Sequence, residues 1–215
     1  RMAKNGKKKI YLVDIGCGDA NILHQILSLG LLSKNELVGV EPSAIRIDRS
    51  KKEIKIVKGT AEKIPFSNKK FDVVISNQVI EHIPDEKPML KEVKRILKEE
   101  GLFYVSSVVK KPYGVWIYTK DGKFVSDPTH YREYASKEDF ASLIQHAGFE
   151  ILAVQMTLFK HPIVDLFLRL LIKIGFMQPK TAVRIYERNK LLFFIRNAIK
   201  IPMFGFYNVE VLAKN

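Results

Sequence analysis

The stretch Val13-Asp14-Ile15-Gly16-Cys17-Gly18-Asp19-Ala20-Asn21 decides how the rest of this chain is interpreted. An apolar run at 10–13 precedes it and a second one at 22–27 follows it, which predicts a buried strand, a glycine turn and a helix. Two glycines spaced two apart let the backbone turn sharply and approach a ligand closely, and the start of the helix presents unpaired N–H groups. The pattern is typical of a site for a nucleotide-like ligand.

The dinucleotide-binding version of this motif is incomplete. It requires a third glycine at position 21, where this chain has Asn21. We therefore expect a nucleotide-like ligand other than NAD or FAD, and nicotinamide-dependent redox chemistry is disfavoured. Cys17 is the single cysteine, which excludes an internal disulfide framework and a cysteine-rich zinc site and fits a reducing cytoplasm.

Strands and helices alternate along the chain. A helix at 85–98 is expected to be closed by Gly101, and another at 137–147 by Gly148. The alternation predicts an α/β domain with a doubly wound parallel sheet and right-handed crossovers. The length of 215 residues and the hydrophobic content of 47% favour a single domain, 1–215. Beyond the first strand, apolar runs predict strands within 36–43, 55–58, 71–76, 102–107, 149–156 and 207–213.

Glu41 closes the second predicted strand. In an open parallel sheet the carboxyl ends of the strands face the ligand crevice, and an acid about 20 residues beyond the glycine turn can accept hydrogen bonds from ribose hydroxyls. The alternative is a solvated acid at a strand end. Behind this glycine turn we favour the ribose interpretation.

Several segments together resemble the class I S-adenosylmethionine-dependent methyltransferases, particularly the group that acts on small molecules, lipids and sugars. The matching pieces are 13–18, 39–43, 59–66, 71–77 with Glu81 and His82, and 95–102, in the order and spacing of that family. The resemblance covers residues 10–156. It implies a methyltransferase with a Rossmann-like, mostly parallel seven-stranded sheet, whose last two strands form an antiparallel hairpin, and S-adenosyl-L-methionine as cofactor.

The resemblance also implies which residues bind the cofactor. At Thr60 many members of the family carry an aspartate that accepts from the adenine amino group, whereas a hydroxyl accepts only as a neutral, weaker partner. The implied roles are Asp14, Gly16 and Gly18 for the methionine end, Glu41 for the ribose, Thr60, Ala61 and Glu62 for the adenine edge, and Asn77 for the floor beneath the sulfonium.

The candidate catalytic residues lie in or near a long segment at 108–135, which is rich in aromatic residues and is expected to line the substrate pocket. His130 and Tyr131 are candidate bases or orienting groups. The alternative is that His130 pins the loop by hydrogen bonds. His82 is a third candidate, and the alternative that we favour is that it packs or hydrogen-bonds locally. Methyl transfer often needs only alignment and desolvation of the nucleophile, so an essential catalytic side chain is not required.

A metal site is not expected. Glu81 and His82 follow the fourth predicted strand, but one histidine and one acid do not form a set of metal ligands.

A segment at 157–204 is inserted between the last two predicted strands. It carries nine of the lysine and arginine residues against two acidic ones, in a chain whose net charge is +13. It predicts two helices, at 161–176 and 181–201, of which the first is too short and too charged to span a bilayer. A wide apolar surface edged by cations suits a membrane interface or a lid over a lipid-like substrate. The alternatives are packing on the domain and a homodimer interface.

The expected function is methyl transfer to a small, lipid-like or lipid-linked acceptor such as a quinone, a lipid or a glycan intermediate. A protein or RNA methyltransferase is the alternative that the net charge favours, although no basic strand surface interleaved with aromatic residues points to RNA. A non-catalytic module that only holds the cofactor is an alternative of another class. We expect a cytoplasmic protein, at the inner membrane surface if 157–204 contacts lipid.

Overall fold

The computed structural model describes residues 9–178 and 189–215. The strands are β1 (Leu12–Ile15), β2 (Leu37–Glu41), β3 (Lys55–Lys58), β4 (Phe71–Asn77), β5 (Leu97–Lys110), β6 (Tyr118–Lys120), β7 (Lys123–Val125), β8 (Glu150–Pro162) and β9 (Lys200–Lys214). The helices are α1 (Asn21–Ser28), α2 (Ala44–Arg49), α3 (Glu86–Ile96), α4 (Lys137–His146), α5 (Ile163–Lys173) and α6 (Lys190–Ala198), with a 3₁₀ turn at Ile80–His82.

Seven of these strands form one sheet in the order β3-β2-β1-β4-β5-β9-β8. β1 to β5 are parallel, and β9 runs antiparallel to both β5 and β8. The predicted doubly wound, mostly parallel seven-stranded sheet is therefore confirmed. Because β8 runs in the same direction as β1 to β5, the carboxyl ends of all six strands and the start of β9 lie at one edge of the sheet.

Helices cover both faces of the sheet. Neighbouring residues of β1 point to opposite faces, and Val13 belongs to the larger core cluster while Leu12 belongs to a second one. The larger cluster holds the apolar sides of α3 and α4, and the second holds Leu23 of α1. Full burial of a large apolar side chain stabilises the fold by roughly 1.5–3 kcal/mol, so these clusters hold the parallel half of the sheet together.

The ends of α3 show where local patterns predict well and where they fail. Asp85 caps the helix by accepting a hydrogen bond from the Lys87 N–H at 3.1 Å. The helix ends at Ile96, earlier than predicted, and β5 begins immediately after it. Gly101 was expected to close the helix, but the residue with a left-handed backbone conformation is Glu100 (φ 64°), within the first part of β5. Gly101 is required for close packing instead, because a Cβ there would lie 2.9 Å from the Lys98 carbonyl oxygen.

The helices between β8 and β9 occupy less of the chain than the predicted insertion at 157–204. β8 continues to Pro162 and β9 already begins at Lys200, and the two strands pair over this extension. The first predicted helix is α5. The second, at 181–201, includes α6, while its residues 181–188 lie outside the described part of the chain. Among the helices of the described residues, none has the length and hydropathy to cross a membrane.

Candidate functional site

The glycine turn after β1 forms as predicted and brings the backbone close to the end of β4. Gly16 (φ 71°) and Gly18 (φ 56°) adopt left-handed conformations. The N–H groups of Gly16 and Cys17 both donate to the Val40 carbonyl oxygen, at 2.8 and 3.1 Å. A Cβ on Gly16 would lie only 2.5 Å from Val79 Cγ2, so a side chain here would collide with the segment that follows β4.

Cys17 has a structural role in this turn. A Cβ on Gly39 would lie 2.4 Å from Cys17 Sγ, so the sulfur packs directly on β2 where only glycine leaves room. Burial, followed by the charges of Asp14 and Glu41, raises the pKa of the thiol to about 12. Since the thiolate is the reactive form, Cys17 is inert as a nucleophile at neutral pH.

Two buried carboxylates lie beside the turn. Glu41 is 3% exposed, and its two oxygens accept hydrogen bonds from the N–H groups of Gly18 at 2.9 Å and Ser43 at 3.0 Å. Asp14 is equally buried, and burial together with the charge of Glu41 raises its pKa to about 7. Two acids held this close and this dry form a site that favours a cationic ligand group.

A cavity of about 580 Å³ opens between the glycine turn and the ends of β2, β3 and β4. Five predicted cofactor residues line it: Gly16, Glu41, Thr60, Ala61 and Glu62. Asp14, Gly18 and Asn77 lie outside the set of described residues that line this cavity. The complete lining is Gly16, Glu41, Pro42, Ser43, Arg46, Gly59, Thr60, Ala61, Glu62, Gln78, Val79, His82, Ile83 and Thr129.

Gln78 is a lining residue that the sequence did not reveal. It adopts a left-handed conformation (φ 56°) directly after β4, and its side-chain amide donates to Asn208 Oδ1 at 2.8 Å. The neighbouring Asn77 is exposed and accepts a hydrogen bond from Ser106 Oγ at 2.7 Å. Position 78 therefore connects the end of β4 to β9, a pairing that no local pattern indicates.

The segment 126–134, which is distant from the glycine turn in the sequence, also reaches this cavity. The Tyr131 N–H donates to the Glu81 carbonyl oxygen at 2.8 Å, and the rings of His130 and His82 meet edge to face at 4.6 Å. His82 lines the cavity, and burial followed by the charge of His130 lowers its pKa, so its imidazole is neutral at pH 7. The Tyr131 side chain is 61% exposed and stacks under Lys120 outside the cavity lining.

Arg132 and Glu133, the two residues that follow Tyr131, do not form an ion pair with each other. Arg132 forms an ion pair with Glu86 at 2.9 Å and donates to the Ile83 carbonyl oxygen at 2.7 Å, which fastens the segment to α3. Glu133 instead lies 3.5 Å from His130 Nδ1. Burial acts to raise the pKa of Glu133, but hydrogen bonds from His130 and Ser126 outweigh it and hold the pKa below its ordinary value.

The helices α5 and α6 expose apolar side chains, whereas charged side chains of α5 contact the rest of the protein. Asp165 on α5 pairs with Arg196 on α6, and Arg169 on α5 stacks on the Tyr118 ring of β6 at 4.9 Å. The polar stripe of α5 thus faces the protein. The large apolar side chains that remain exposed are Ile163, Phe167, Leu170 and Ile174 in or just after α5, and Leu191 and Phe194 in α6.

A second cavity of about 580 Å³ lies on the extended β8–β9 pair, near the strand ends that connect to α5 and α6. Most of its lining is apolar or aromatic, and the Tyr113 and Phe204 rings pack at 5.5 Å on its rim. We call this cavity and the exposed residues of α5 and α6 the apolar face. The cavity lining consists of Tyr113, Leu158, Pro202, Met203, Phe204, Gly205 and Tyr207.

The residues of the first cavity fit S-adenosylmethionine. Its ammonium and sulfonium groups are cations, and Asp14 and Glu41 supply buried negative charge. The Glu41 carboxylate ends β2 at the position from which ribose hydroxyls are bound in open α/β sheets. The backbone around Gly16 provides a cradle that a Cβ would fill.

Comparisons with known proteins agree with this fit. The family model described as "Methyltransferase domain" matches residues 13–105. A sterol 4-C-methyltransferase of Caenorhabditis elegans is 30% identical over 135 residues, which cover 60% of this chain and 39% of the relative. A ubiquinone biosynthesis O-methyltransferase of Pelagibacter ubique is 29% identical over 116 residues, covering 48% of this chain and 44% of the relative. The chain thus spans less than half the length of these two relatives.

A solved structure shows the same fold over nearly the whole chain. Phosphoethanolamine N-methyltransferase 2 of Haemonchus contortus, in complex with S-adenosyl-L-methionine, superposes with a TM-score of 0.58 at 18% identity, covering 98% of this chain and 50% of that one. Sheet order, cavity, carboxylates and family model agree. Residues 13–105 thus form a class I methyltransferase domain, whose cofactor is S-adenosylmethionine.

Proposed function

We propose that this chain transfers a methyl group from S-adenosylmethionine to a lipid-like or lipid-linked acceptor at a membrane surface. The observation that carries the proposal is the apolar face, because it lies at the same edge of the sheet as the cofactor cavity. α5 follows the carboxyl end of β8 directly, and α6 leads into the start of β9. An acceptor with a long apolar part could lie on this face while its reactive group enters the cavity.

The exposure of the apolar face supports a lipid in preference to a polymeric acceptor. Phe167 is 59% exposed and Phe194 is 68% exposed, whereas the charged side chains of Asp165 and Arg169 on α5 contact other parts of the protein. Large apolar patches on a protein surface mark sites for proteins, membranes or ligands. The names of the two curated relatives, a sterol methyltransferase and a methyltransferase of ubiquinone biosynthesis, point to lipophilic acceptors.

The charge of the chain supports a membrane contact. The net charge is +13, and Lys160 and Lys200 lie exposed at the bases of α5 and α6. Cations beside an apolar surface attract anionic lipid headgroups while the apolar side chains enter the interface. The proposed location is accordingly the cytoplasmic surface of a membrane.

The residues of the cavity have separate proposed roles in the reaction. When bound, S-adenosylmethionine supplies an electrophilic methyl group. Asp14 and Glu41 bind and orient the cofactor, with Thr60, Ala61 and Glu62 along its adenine edge and Gly16, Gly18 and Asn77 along the turn and floor. Val79 and Ile83 exclude water from one wall of the cavity. His82 is the imidazole that faces an incoming acceptor, and His130 and Tyr131 hold the segment behind it in place.

A transfer assay tests the acceptor class. The full chain is incubated with S-adenosylmethionine labelled in the methyl group, in parallel with a bacterial polar lipid and quinone extract, with total RNA and with a protein lysate. We expect label in the organic phase of the lipid reaction. Label in RNA or protein alone would overturn the lipid proposal, and cofactor binding by calorimetry without any transfer would identify a non-catalytic binding module.

Liposome co-sedimentation tests the membrane contact. The full chain should sediment with phosphatidylglycerol-containing vesicles, and the double variant Phe167→Ser/Phe194→Ser should lose most of this binding. Leu29→Ser/Leu31→Ser is the matched control, because these leucines are 71% and 67% exposed after α1, away from the apolar face. Equal binding by both variants would contradict the proposal. A shift from dimer to monomer in Phe167→Ser/Phe194→Ser, with binding unchanged, would make the apolar face a homodimer interface.

A further inference from the structure

Three side chains that could ligate a metal meet at the wall of the cofactor cavity. Glu81 and His82 belong to the 3₁₀ turn after β4, and His130 comes from the long segment between β7 and α4. One ligand atom from each of the three lies within 4.8 Å of the other two. No metal was expected from the sequence because only one histidine lies beside one acid at 81–82, and the fold adds the second histidine.

Each histidine is oriented by a partner on its Nδ1 atom. His130 Nδ1 lies 3.1 Å from Ser126 Oγ and 3.5 Å from the Glu133 carboxylate. His82 Nδ1 lies 3.0 Å from Thr129 Oγ1. Metal-binding histidines are held in this way, with one nitrogen on a carboxylate, hydroxyl or carbonyl group and the other on the ion. The Nε2 atoms of both rings are therefore the available ligand atoms.

Glu81 supplies the negative charge of the cluster. Its side chain is fully buried, and Oε2 accepts a hydrogen bond from Ser107 Oγ at 2.9 Å. Oε1 is buried as well and has no hydrogen-bond partner among the described residues. A buried carboxylate oxygen without a partner is costly, and a bound cation would satisfy it.

We propose that Glu81, His82 and His130 bind one divalent first-row transition ion such as Zn²⁺, Co²⁺ or Mn²⁺. Two imidazole nitrogens and one carboxylate oxygen select these ions over Mg²⁺ and Ca²⁺, which prefer oxygen ligands. Ligands about 2.1 Å from such an ion lie about 3.4 Å apart, so small side-chain rotations close the site. His82 is exposed and lines the cofactor cavity, so an ion held by these three residues would lie beside that cavity.

The experiment measures ion binding directly, without S-adenosylmethionine or an acceptor. The full chain, purified without a histidine tag and stripped with a chelator, is titrated with Co²⁺ while the visible absorption of the ion is recorded, and with Zn²⁺ by calorimetry. We expect one ion per chain and absorption bands of an ion with nitrogen and oxygen ligands. Because this readout does not depend on methyl transfer, its failure is distinguishable from a failure of the proposed function.

Variants decide whether the three residues hold the ion. His82→Ala and His130→Ala should each weaken binding by more than about 100-fold, and Glu133→Gln by about 10-fold through the orientation of His130. His146→Ala is the matched control, because this exposed histidine lies on α4 and, among the described residues, forms its hydrogen bonds with Ser142 of the same helix. Circular dichroism and thermal unfolding verify that each variant is folded. No binding by the parent chain at 100 µM ion, or equal losses in His146→Ala and His130→Ala, would overturn the proposal.

Discussion

Asp165 on α5 and Arg196 on α6 form a two-point ion pair, with Nε to Oδ1 and the terminal nitrogen to Oδ2 both at 2.9 Å. The pair joins two short helices whose other faces expose large apolar side chains. A bidentate guanidinium–carboxylate contact fixes orientation as well as distance. It therefore holds the apolar face in one arrangement although both helices are only about three turns long or less.

The first prediction concerns the strength of this pair. Asp165→Ala and Arg196→Ala should each lower the free energy of unfolding by about 1 kcal/mol, because the pair is partly shielded from water. The double variant should cost little more than either single one. Urea denaturation of all four proteins measures the coupling. A coupling energy near zero would show that the two helices are held by apolar packing alone.

The second prediction is a pH dependence of cofactor binding through Asp14. The pKa of Asp14 is raised to about 7, and a bound ammonium group favours the ionised carboxylate. Affinity for S-adenosylmethionine should therefore fall by up to about tenfold per pH unit below pH 7 and level off about one pH unit above it. Calorimetry from pH 5.5 to 7.5 checks this slope.

Asp14→Asn should flatten that profile and weaken binding at pH 7.5. The same raised pKa means that the folded chain holds a proton that the unfolded chain has released between about pH 4 and 7, so the unfolding free energy should fall as pH rises through this window. Asp19→Asn is the matched control, because Asp19 lies in the same turn but pairs with Arg49. An unchanged slope in Asp14→Asn would contradict the assignment.

The third prediction concerns Glu41. Glu41→Gln should weaken cofactor binding by roughly 10- to 100-fold, because hydrogen bonds to a charged group contribute about 1.5–3 kcal/mol. With an analogue that lacks the ribose 2′-hydroxyl the loss should shrink, since the ligand no longer donates to the carboxylate. Glu53→Gln serves as control because Glu53 is exposed beside His24. Binding within twofold of the parent chain would remove Glu41 from the ribose site.

The fourth prediction separates strain from collision at two glycines. Gly16 (φ 71°) and Gly30 (φ 67°) have similar backbone conformations, but a Cβ on Gly30 meets no atom within 4 Å. Gly30→Ala should cost about 1–2 kcal/mol of unfolding free energy from strain alone. Gly16→Ala should cost more and also lower cofactor affinity, and Val79→Ala should restore part of the loss. An equal loss of unfolding free energy at the two positions would show that the Val79 side chain moves away from the new Cβ at no energetic cost.

The cofactor half of the molecule could be predicted from the sequence because its determinants are local. The turn at Gly16 and Gly18 and the acid at Glu41 each follow a buried strand, and the parallel order of the strands then brings them together. Element ends were less predictable. β5 begins at Leu97 and not at 102 because Leu97 pairs with Phe71, a long-range contact that overrides the helical pattern before it.

The arrangement of His130, Gln78 and α5 depends on contacts between distant parts of the chain. The sequence did not indicate that His130 would reach His82 or that Gln78 would bond to Asn208, since these pairs are set by where the loops fold back on the sheet. Asp165 and Arg169 are four residues apart, which places them in one polar stripe along α5. Its direction was not predictable, because only the positions of Arg196 and Tyr118 turn that stripe inward.

The place where α5 and α6 enter the chain has a consequence for how this protein can change. β9 and β8 are the last two strands at one side of the sheet, and α5 and α6 connect their ends. Gly16 and Glu41 lie several strands away, at β1 and β2. This connection can be shortened, lengthened or exchanged without altering the strands that carry the cofactor residues. Under the proposed function, acceptor choice lies in this replaceable part of the chain, and exchanging the segment between β8 and β9 in another protein of this fold is a route to redirecting its methyl group.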